Sequence, residues 1–204
     1  LAYRGSEVAV FEKLPECGGR NHMLIDKGFK FDMGPSFVLM PDFFNEIFTD
    51  CGKRIEDYIR LKALDVNYRI FYPNHRVLTV FKDCEKTKEE LEKFESGSSA
   101  GFDRFITKAG GFYKTVAPLL YKCFTLKDIT NPKNWKLLFA LESFTSYWQM
   151  ARKFFKTEDV AYAFTFEAMF MGVSPFKAPG FYSIITYTDH IQKIFHAMGG
   201  MYEI

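Results

Sequence analysis

The 204-residue sequence lacks the features that mark several common classes of protein. Its 27 basic and 25 acidic residues leave a formal charge of only +2, whereas a nucleic-acid-binding domain carries a clear basic excess. No apolar run approaches the roughly 18 residues of a membrane-spanning helix, and the first residues do not have the layout of a signal peptide. We therefore expect neither a nucleic-acid partner nor a transmembrane segment.

Motifs for metal binding and for disulfide frameworks are also missing. The four cysteines form no C-x-x-C pair, and the four histidines form no H-E-x-x-H motif. We expect no metal site. We expect Cys17, Cys51, Cys84 and Cys123 to be reduced, mostly buried thiols of a cytoplasmic protein.

Phenylalanine is the residue present in excess, at 24 positions beside only 2 tryptophans. A hydrophobic fraction of 48% with 25% charged residues predicts a folded, core-forming chain rather than a disordered one. The aromatic excess indicates a large apolar core, an apolar ligand or a membrane-facing surface, and composition does not choose among them.

Both ends of the sequence lie inside predicted elements. Residues 1–5 are typical of the end of a helix closed by Gly5, and residues 198–204 are typical of a turn that enters a helix. We therefore expect the chain to be a fragment.

Local sequence patterns predict several short elements, each from its turn or cap residues. They are a hairpin over 22–32 that turns at Lys27-Gly28, a helix over 41–48, a hairpin over 66–81, a helix that a Thr87-x-x-Glu90 capping box opens and that runs to Glu95, and a helix over 102–124.

The sequence after Asn131 and Pro132 predicts one long amphipathic helix. Apolar side chains recur at alternating steps of four and three residues, and the last turn is basic, which suits the negative end of the helix dipole. The apolar face would either pack on a core or enter a membrane interface. The residues of that face are Leu137, Leu141, Phe144, Trp148, Ala151 and Phe155.

The next segment, residues 157–171, is apolar on nearly all sides. This pattern predicts a helix that is buried or that lines an apolar cavity, with burial in a plain core as the more common case.

The most specific stretch is an acid followed by paired glycines. In a dinucleotide-binding unit the second strand ends in an acid that accepts hydrogen bonds from ribose hydroxyls. Glu12 ends an alternating, strand-like segment over 7–12 and fits this role, in which case the G-x-G-x-x-G loop would precede Leu1. Gly18-Gly19-Arg20 then offers bare backbone and a guanidinium to a diphosphate, and Asp32-Met-Gly34 offers bare backbone to a flat ring. Each element alone is weak, but together, in this order and spacing, they are specific.

This stretch is similar to the second half of the flavin-binding signature of the GG-motif flavoproteins. Later motifs over 164–176 and 195–202 narrow the resemblance to the bacterial-type phytoene (carotenoid) desaturases among these FAD-dependent oxidoreductases. In the second motif, Ala-Met precedes Gly199-Gly200 where the family usually has Pro-x. The resemblance covers nearly the whole chain and implies about the first half of such an enzyme without its opening GxGxxG unit.

The resemblance implies a mixed α/β (α+β) fold with two domains. A partial Rossmann-like FAD-binding domain would occupy residues 1–64 and resume at 199–204. A substrate domain with a β-hairpin sheet would occupy 65–198 and include a helical, membrane-associating cap at 102–172. FAD is the implied cofactor, and the residues implied to bind it are Glu12, Lys13, Gly18, Gly19, Arg20, Asp32, Gly34, Pro35 and Ser36.

The implied reaction is hydride transfer to flavin from a CH–CH bond of an apolar isoprenoid or polyene, or a related saturation or isomerisation. Flavin amine oxidation and non-enzymatic prenyl binding, as in Rab GDP-dissociation inhibitors, are alternatives. The sequence identifies no catalytic residue, although Asp189, Arg152 and Glu167 are candidates for stabilising developing charge. The implied partners are the substrate, a membrane surface contacted peripherally through 133–156, and the remaining half of the enzyme's own chain.

Overall fold

A computed structural model describes residues 1–123, 125, 128 and 131–204. The chain forms two compact units. The first unit contains residues Leu1–Leu64 and Lys193–Ile204, and the second contains Asp65–Gln192. The second unit thus ends at Gln192, whereas the substrate domain was predicted to end at residue 198. The assignment of the units to cofactor and substrate stays a prediction.

The first unit is built from antiparallel strand pairs and one helix. Strands β1 (Met23–Asp26) and β2 (Phe29–Asp32) form the predicted hairpin. Lys27 and Gly28 turn it with φ angles of 49° and 84°, as the tightest hairpin turns require. Helix α1 (Pro41–Asp50) begins at its proline, as predicted, and strand β3 (Leu61–Ala63) pairs with β6 (Phe195–Ala197). The small core of the unit contains Val38, Ile55, Ile59, Ala197 and Met201.

The strand predicted over residues 7–12 is not formed. A short 3₁₀ helix, Ala2–Arg4, ends at Gly5 in the left-handed conformation, and no strand is assigned from there to Met23. Val10 and Phe11 are 82% and 95% exposed. A strand needs backbone partners, and none of the described residues pairs with this segment, so its alternating pattern alone does not make a strand.

The second unit combines a hairpin with short helices. Strands β4 (Val66–Phe71) and β5 (Val77–Phe81) form the second predicted hairpin. Within the part of the chain that the structure describes, no helix is both long enough and apolar enough to cross a bilayer. The helices are α2 (Cys84–Phe94), α3 (Ser98–Val116), α4 (Pro132–Ala140), α5 (Tyr147–Ala151), α6 (Glu158–Ala163) and α7 (Ile184–Tyr187), with 3₁₀ turns at Phe166–Met171 and Gly180–Ser183 and a π-helical turn at Thr188–Gln192.

Aromatic rings fill the core of the second unit. Phe105 is completely buried and packs against Phe155 and Phe164 with ring centroids 5.4 and 6.2 Å apart. Leu78 and Val80 from β5 complete the same core. Part of the phenylalanine excess therefore serves folding, which was one of the three interpretations of the composition.

The start of α2 differs from the prediction. Asp83 is the N-cap, and its Oδ1 accepts the N–H groups of Glu85 and Lys86. Thr87 lies inside the helix, where its hydroxyl donates to the Phe81 carbonyl and accepts the Phe81 N–H. The capping-box prediction is therefore wrong, because Thr87 joins the helix to β5 instead of capping it.

The long amphipathic helix predicted after Pro132 is broken in two. Helix α4 ends at Ala140, Glu142 has a φ of 49°, and Ser146 caps α5 in a capping box with Gln149. A residue outside both helices stabilises the break, since the Thr145 carbonyl accepts a hydrogen bond from the Gly180 N–H at 2.8 Å. The predicted face is divided: Leu141, Ala151 and Phe155 are buried, Leu137 and Trp148 are partly buried, and Phe144 is 74% exposed.

Two further predictions are wrong in part. Residues 157–171 form α6 and a 3₁₀ turn rather than one buried helix. Val160 and Phe164 are buried, but Met169 and Met171 are 67% and 59% exposed. The cysteines are free thiols, yet none is fully buried: Cys17 and Cys123 are exposed, and Cys51 and Cys84 are partly exposed.

Two glycines of α3 provide a matched test of its packing. A Cβ on Gly101 would lie 2.4 Å from the Phe154 carbonyl oxygen, whereas a Cβ on Gly111 would meet nothing within 4 Å. We expect G101A to lower the free energy of unfolding by about 1–3 kcal/mol through overpacking. G111A should raise it by about 1 kcal/mol through helix propensity. Urea unfolding followed by tryptophan fluorescence measures both, and equal effects would contradict the packing described.

Candidate functional site

The paired glycines lie in a tight turn of the first unit. Gly18 and Gly19 have φ angles of 125° and 52°, and Gly19 opens a 3₁₀ turn, Gly19–Asn21. The Asn21 N–H donates to the Gly18 carbonyl at 2.9 Å. Residues with a Cβ rarely adopt such angles, so the turn requires glycine and leaves its backbone uncovered.

Gly34 packs directly on this turn. A Cβ on Gly34 would lie 2.1 Å from the Arg20 carbonyl oxygen, a distance at which backbone would have to move. The Met33 N–H donates to the His22 carbonyl at 3.1 Å, which fixes the end of β2 beside the turn. The structure therefore brings two of the predicted motifs, Gly18-Gly19-Arg20 and Asp32-Met-Gly34, into contact.

The last residues of the chain complete the site. Gly199 and Gly200 both have a φ of 109°, and the Met201 N–H donates to Asp32 Oδ1 at 2.9 Å. A Cβ on Gly200 would lie 2.9 Å from the same Asp32 oxygen, and a Cβ on Gly18 would lie 2.8 Å from the Tyr202 ring. Three glycine-bearing segments thus meet here through close backbone approach.

His22 and Tyr202 belong to the site but were not among the predicted residues. The two rings meet edge to face with centroids 6.1 Å apart, and the buried His22 Nδ1 has no hydrogen-bond partner among the described residues. From the sequence, His22 was assessed only as a possible metal ligand. Its position, two residues after Arg20 and immediately before a strand, is the sequence signal that could have placed it in this site.

The remaining predicted residues are exposed. Glu12 Oε1 accepts the Leu14 N–H at 2.9 Å, which is a local contact within its own loop. Lys13, Pro35 and Ser36 are exposed, and the described contacts do not join Glu12 to the glycine pair. An open groove of about 350 Å³ lies between this loop and β1, lined by Leu14, Pro15, Glu16, His22, Met23, Leu24 and Ile25.

The site fits a group that needs bare backbone. Gly19 has open space where a Cβ would stand, so its backbone is accessible to a diphosphate or a flat ring, and the Gly34 contact leaves no room for any other residue. The chemistry of the residues is therefore compatible with a flavin nucleotide.

Comparison with known proteins decides the family. The model of the flavin containing amine oxidoreductases matches residues 1–107. The chain belongs to this family. It is 34% identical over its whole length to a zeta-carotene-forming phytoene desaturase of Myxococcus xanthus, 40% of which it covers. It is likewise 34% identical to a phytoene desaturase of Cercospora nicotianae, with 34% of that protein covered.

A 4,4'-diapophytoene desaturase of Staphylococcus aureus is 31% identical over 99% of the chain and 41% of the relative. The chain thus spans about a third to two fifths of the length of these three curated relatives. The predicted resemblance to carotenoid desaturases is confirmed, and so is a flavin as the cofactor class. The FAD-binding domain of the family is Rossmann-like, and the mixed α/β fold class is also confirmed.

The three side chains considered for charge stabilisation lie in the second unit of this flavoprotein. Arg152 Nη1 donates to the Lys156 carbonyl at 2.6 Å and so closes the turn that follows α5. Glu167 and Asp189 are completely buried. Of the described residues, no group of three or more side chains could hold a metal ion.

Gly34 is the sharpest test of the site. We expect G34A to lower the flavin content of the full-length gene product severely, because the Arg20 backbone must move away from the new Cβ. G111A is the control, since Gly111 does not have a positive φ and its Cβ meets nothing within 4 Å. The flavin absorbance of the purified proteins measures the effect, and full flavin content in G34A would contradict it.

Proposed function

We propose that this chain is part of a FAD-dependent oxidoreductase that acts on CH–CH bonds of an apolar isoprenoid or polyene. The observation that carries the proposal is the close approach of the Gly18, Gly34 and Gly200 segments, in a chain that is similar along its whole length to named phytoene and diapophytoene desaturases.

The roles proposed for residues of the first unit follow from the hydrogen-bonding groups that each residue offers. The Glu12 carboxylate accepts hydrogen bonds from the ribose hydroxyls of the cofactor, and Lys13 lies beside it. Gly18 and Gly19 admit the diphosphate to their backbone, and the Arg20 guanidinium supplies charge-assisted donors. The residues proposed to lie beside the flavin ring are Asp32, Gly34, Pro35 and Ser36.

When bound, the flavin supplies the hydride acceptor, and the protein supplies binding, orientation and exclusion of water. An apolar substrate needs a groove with few polar groups. The second unit presents exposed apolar side chains after α6, at Met169, Phe170, Met171 and Phe176. We propose that this segment contacts the substrate.

Amine oxidation is the second candidate, because the matching family model carries that description. The two reactions are separated by an assay of the flavin-loaded protein. Bleaching of the flavin absorbance by phytoene supports desaturation, whereas bleaching by primary amines alone supports amine oxidation. A prenyl-binding protein without a working flavin would show neither response.

We further propose peripheral membrane contact of a cytoplasmic enzyme through residues 133–156. An apolar groove of about 300 Å³ on this segment is lined by Trp135, Leu138, Phe139 and Phe144. Phe139 and Phe144 are 66% and 74% exposed and pack on each other with centroids 5.2 Å apart. Paired exposed aromatic rings are suited to the interface of a bilayer.

The proposed role of Glu12 is tested by removing its charge. We expect E12Q to weaken FAD binding by the full-length gene product about 10- to 100-fold, because a hydrogen bond to a charged acceptor contributes about 1.5–3 kcal/mol. E7Q changes the same chemistry in the same exposed segment, away from the groove, and should leave affinity unchanged. Equilibrium dialysis against FAD measures both, and equal affinities for E12Q and E7Q would refute the role.

The proposed membrane contact is tested with exposed aromatic residues. We expect the double variant F139S/F144S to lower partitioning onto phospholipid vesicles about 10- to 100-fold, because less apolar surface enters the interface. F71S is the control, since Phe71 is 74% exposed, like Phe144, but lies on β4. Vesicle co-sedimentation measures the partitioning, and an equal loss in F71S would argue against a specific contact.

A further inference from the structure

The core of the second unit contains two carboxyl groups. Glu167, in the 3₁₀ turn Phe166–Met171, and Asp189, in the π-helical turn Thr188–Gln192, both have no exposed surface. Glu167 Oε1 and both carboxyl oxygens of Asp189 are buried and have no hydrogen-bond partner among the described residues. Burying an ionised carboxylate without a donor or a cation is very costly, so the folded unit favours a proton on at least one of the two groups.

The neighbouring hydroxyl groups lead to the same count of protons. The Tyr147 hydroxyl contacts the Phe164 carbonyl at 2.5 Å and the Thr186 hydroxyl, and the Thr186 hydroxyl contacts Glu167 Oε2. These are three oxygen–oxygen contacts with only two hydroxyl hydrogens among them. The Tyr147 hydrogen is donated to the Phe164 carbonyl and the Thr186 hydrogen serves one of its two contacts, so the remaining hydrogen must come from Glu167.

No positive charge replaces that proton. None of the described lysine or arginine side chains forms an ion pair with either carboxyl group. His190 Nδ1 lies 2.8 Å from the Thr186 carbonyl, so this nitrogen carries the hydrogen, and burial lowers the pKa of His190 to about 4. The imidazole beside the pair is therefore neutral at physiological pH.

The other titratable groups around the pair are also neutral. Tyr68 on β4 donates its hydroxyl to the Ala163 carbonyl at 3.0 Å, and burial holds its pKa and that of Tyr147 on α5 above the usual range. Cys84 on α2 contacts the His190 carbonyl through Sγ, and burial raises the pKa of its thiol. Tyr68, Tyr147, Cys84 and His190, from four different elements around the pair, are thus uncharged at neutral pH.

We propose that Glu167 and Asp189 form a buried proton-binding site that ties the folding of the second unit to pH. Release of the bound proton leaves two negative charges together in a core without a cation. The folded unit therefore keeps the proton under conditions in which the unfolded chain has lost it, and it becomes less stable as the pH rises.

The direction of the effect follows from linkage. Burial raises the pKa of Asp189 to about 7 and that of Glu167 well above its usual range, where the Asp189 charge adds to the effect. A raised folded-state pKa gives stability that is present at low pH and is lost as the pH rises towards that pKa. Between pH 7 and 8 His190 is neutral in both states, so the raised pKa values of the two acids leave the folded unit with more bound protons than the unfolded chain.

The experiment is urea unfolding of the 204-residue chain at pH 7 and pH 8, followed by fluorescence of Trp135 and Trp148, which both lie in the second unit. Protons retained by the folded pair make the unfolding equilibrium constant of the wild type rise over this unit of pH, by up to about tenfold for each proton retained. In E167Q the amide hydrogen takes the place of one proton, so the rise should be smaller. E89Q, at an exposed glutamate in α2, should keep the wild-type rise.

Equal pH dependence in the wild type and E167Q would overturn the proposal. D189N is the second variant, and we expect it to change the pH dependence at pH 5–7, where Asp189 binds its proton. If neither variant folds, the wild type decides alone: a rise in the unfolding equilibrium constant between pH 7 and 8 supports the site, and a constant value refutes it.

Discussion

The carboxylate of Asp32 ties together the two chain segments that make the first unit. Its Oδ1 accepts the Met201 N–H, while β3 pairs with β6 and Val38 pairs with Phe195. Ala197 and Met201, from the second segment, complete the small core around Val38 and Ile55. Residues 1–64 alone would therefore lack part of their own core, so this unit depends on contacts between residues that are distant in sequence.

The insertion of the second unit adds little strain to this arrangement. The Leu64 N–H donates to the Ile194 carbonyl at 2.9 Å, so the inserted chain leaves and re-enters the first unit at adjacent backbone positions. The entropy cost of closing a loop grows only slowly with its length. A long insertion between two paired strands is consequently compatible with a stable first unit, provided that the insertion folds on a core of its own, as the aromatic cluster around Phe105 allows.

The sequence predicted the parts of the fold and the site that depend on local backbone chemistry. Lys27-Gly28 turned a hairpin because both residues adopt positive φ, and Pro41 opened α1 because its fixed φ suits a first helical turn. The glycine pair at Gly18 was recognisable for the same reason. The meeting of the Gly34 and Gly200 segments with that pair followed only from the family resemblance, since no local pattern joins residues so far apart.

What the sequence could not predict was decided by distant partners. The sequence after Pro132 has an amphipathic pattern over the full length of the predicted helix. The helix is nevertheless interrupted, because the Thr145 carbonyl accepts a hydrogen bond from the Gly180 N–H. Thr87 has the pattern of a cap, but β5 offers its backbone to the Thr87 hydroxyl. Residues 7–12 have the pattern of a strand, but no described strand pairs with them. In each case the local preference was real, and a hydrogen bond from elsewhere, or the lack of one, outweighed it.

The same competition explains why polar groups gather in the core of the second unit. Helix α6 is only six residues long, so most of its carbonyl groups have no partner within the helix. Side-chain hydroxyls supply partners at its C-terminal end: Tyr68 binds the Ala163 carbonyl, and Tyr147 binds that of Phe164, the residue that follows the helix. With the Tyr147 hydrogen donated to Phe164, the one Thr186 hydrogen cannot serve both Tyr147 and Glu167. The proposed protonation of the acid pair thus follows from how the end of a short helix is capped inside an aromatic core.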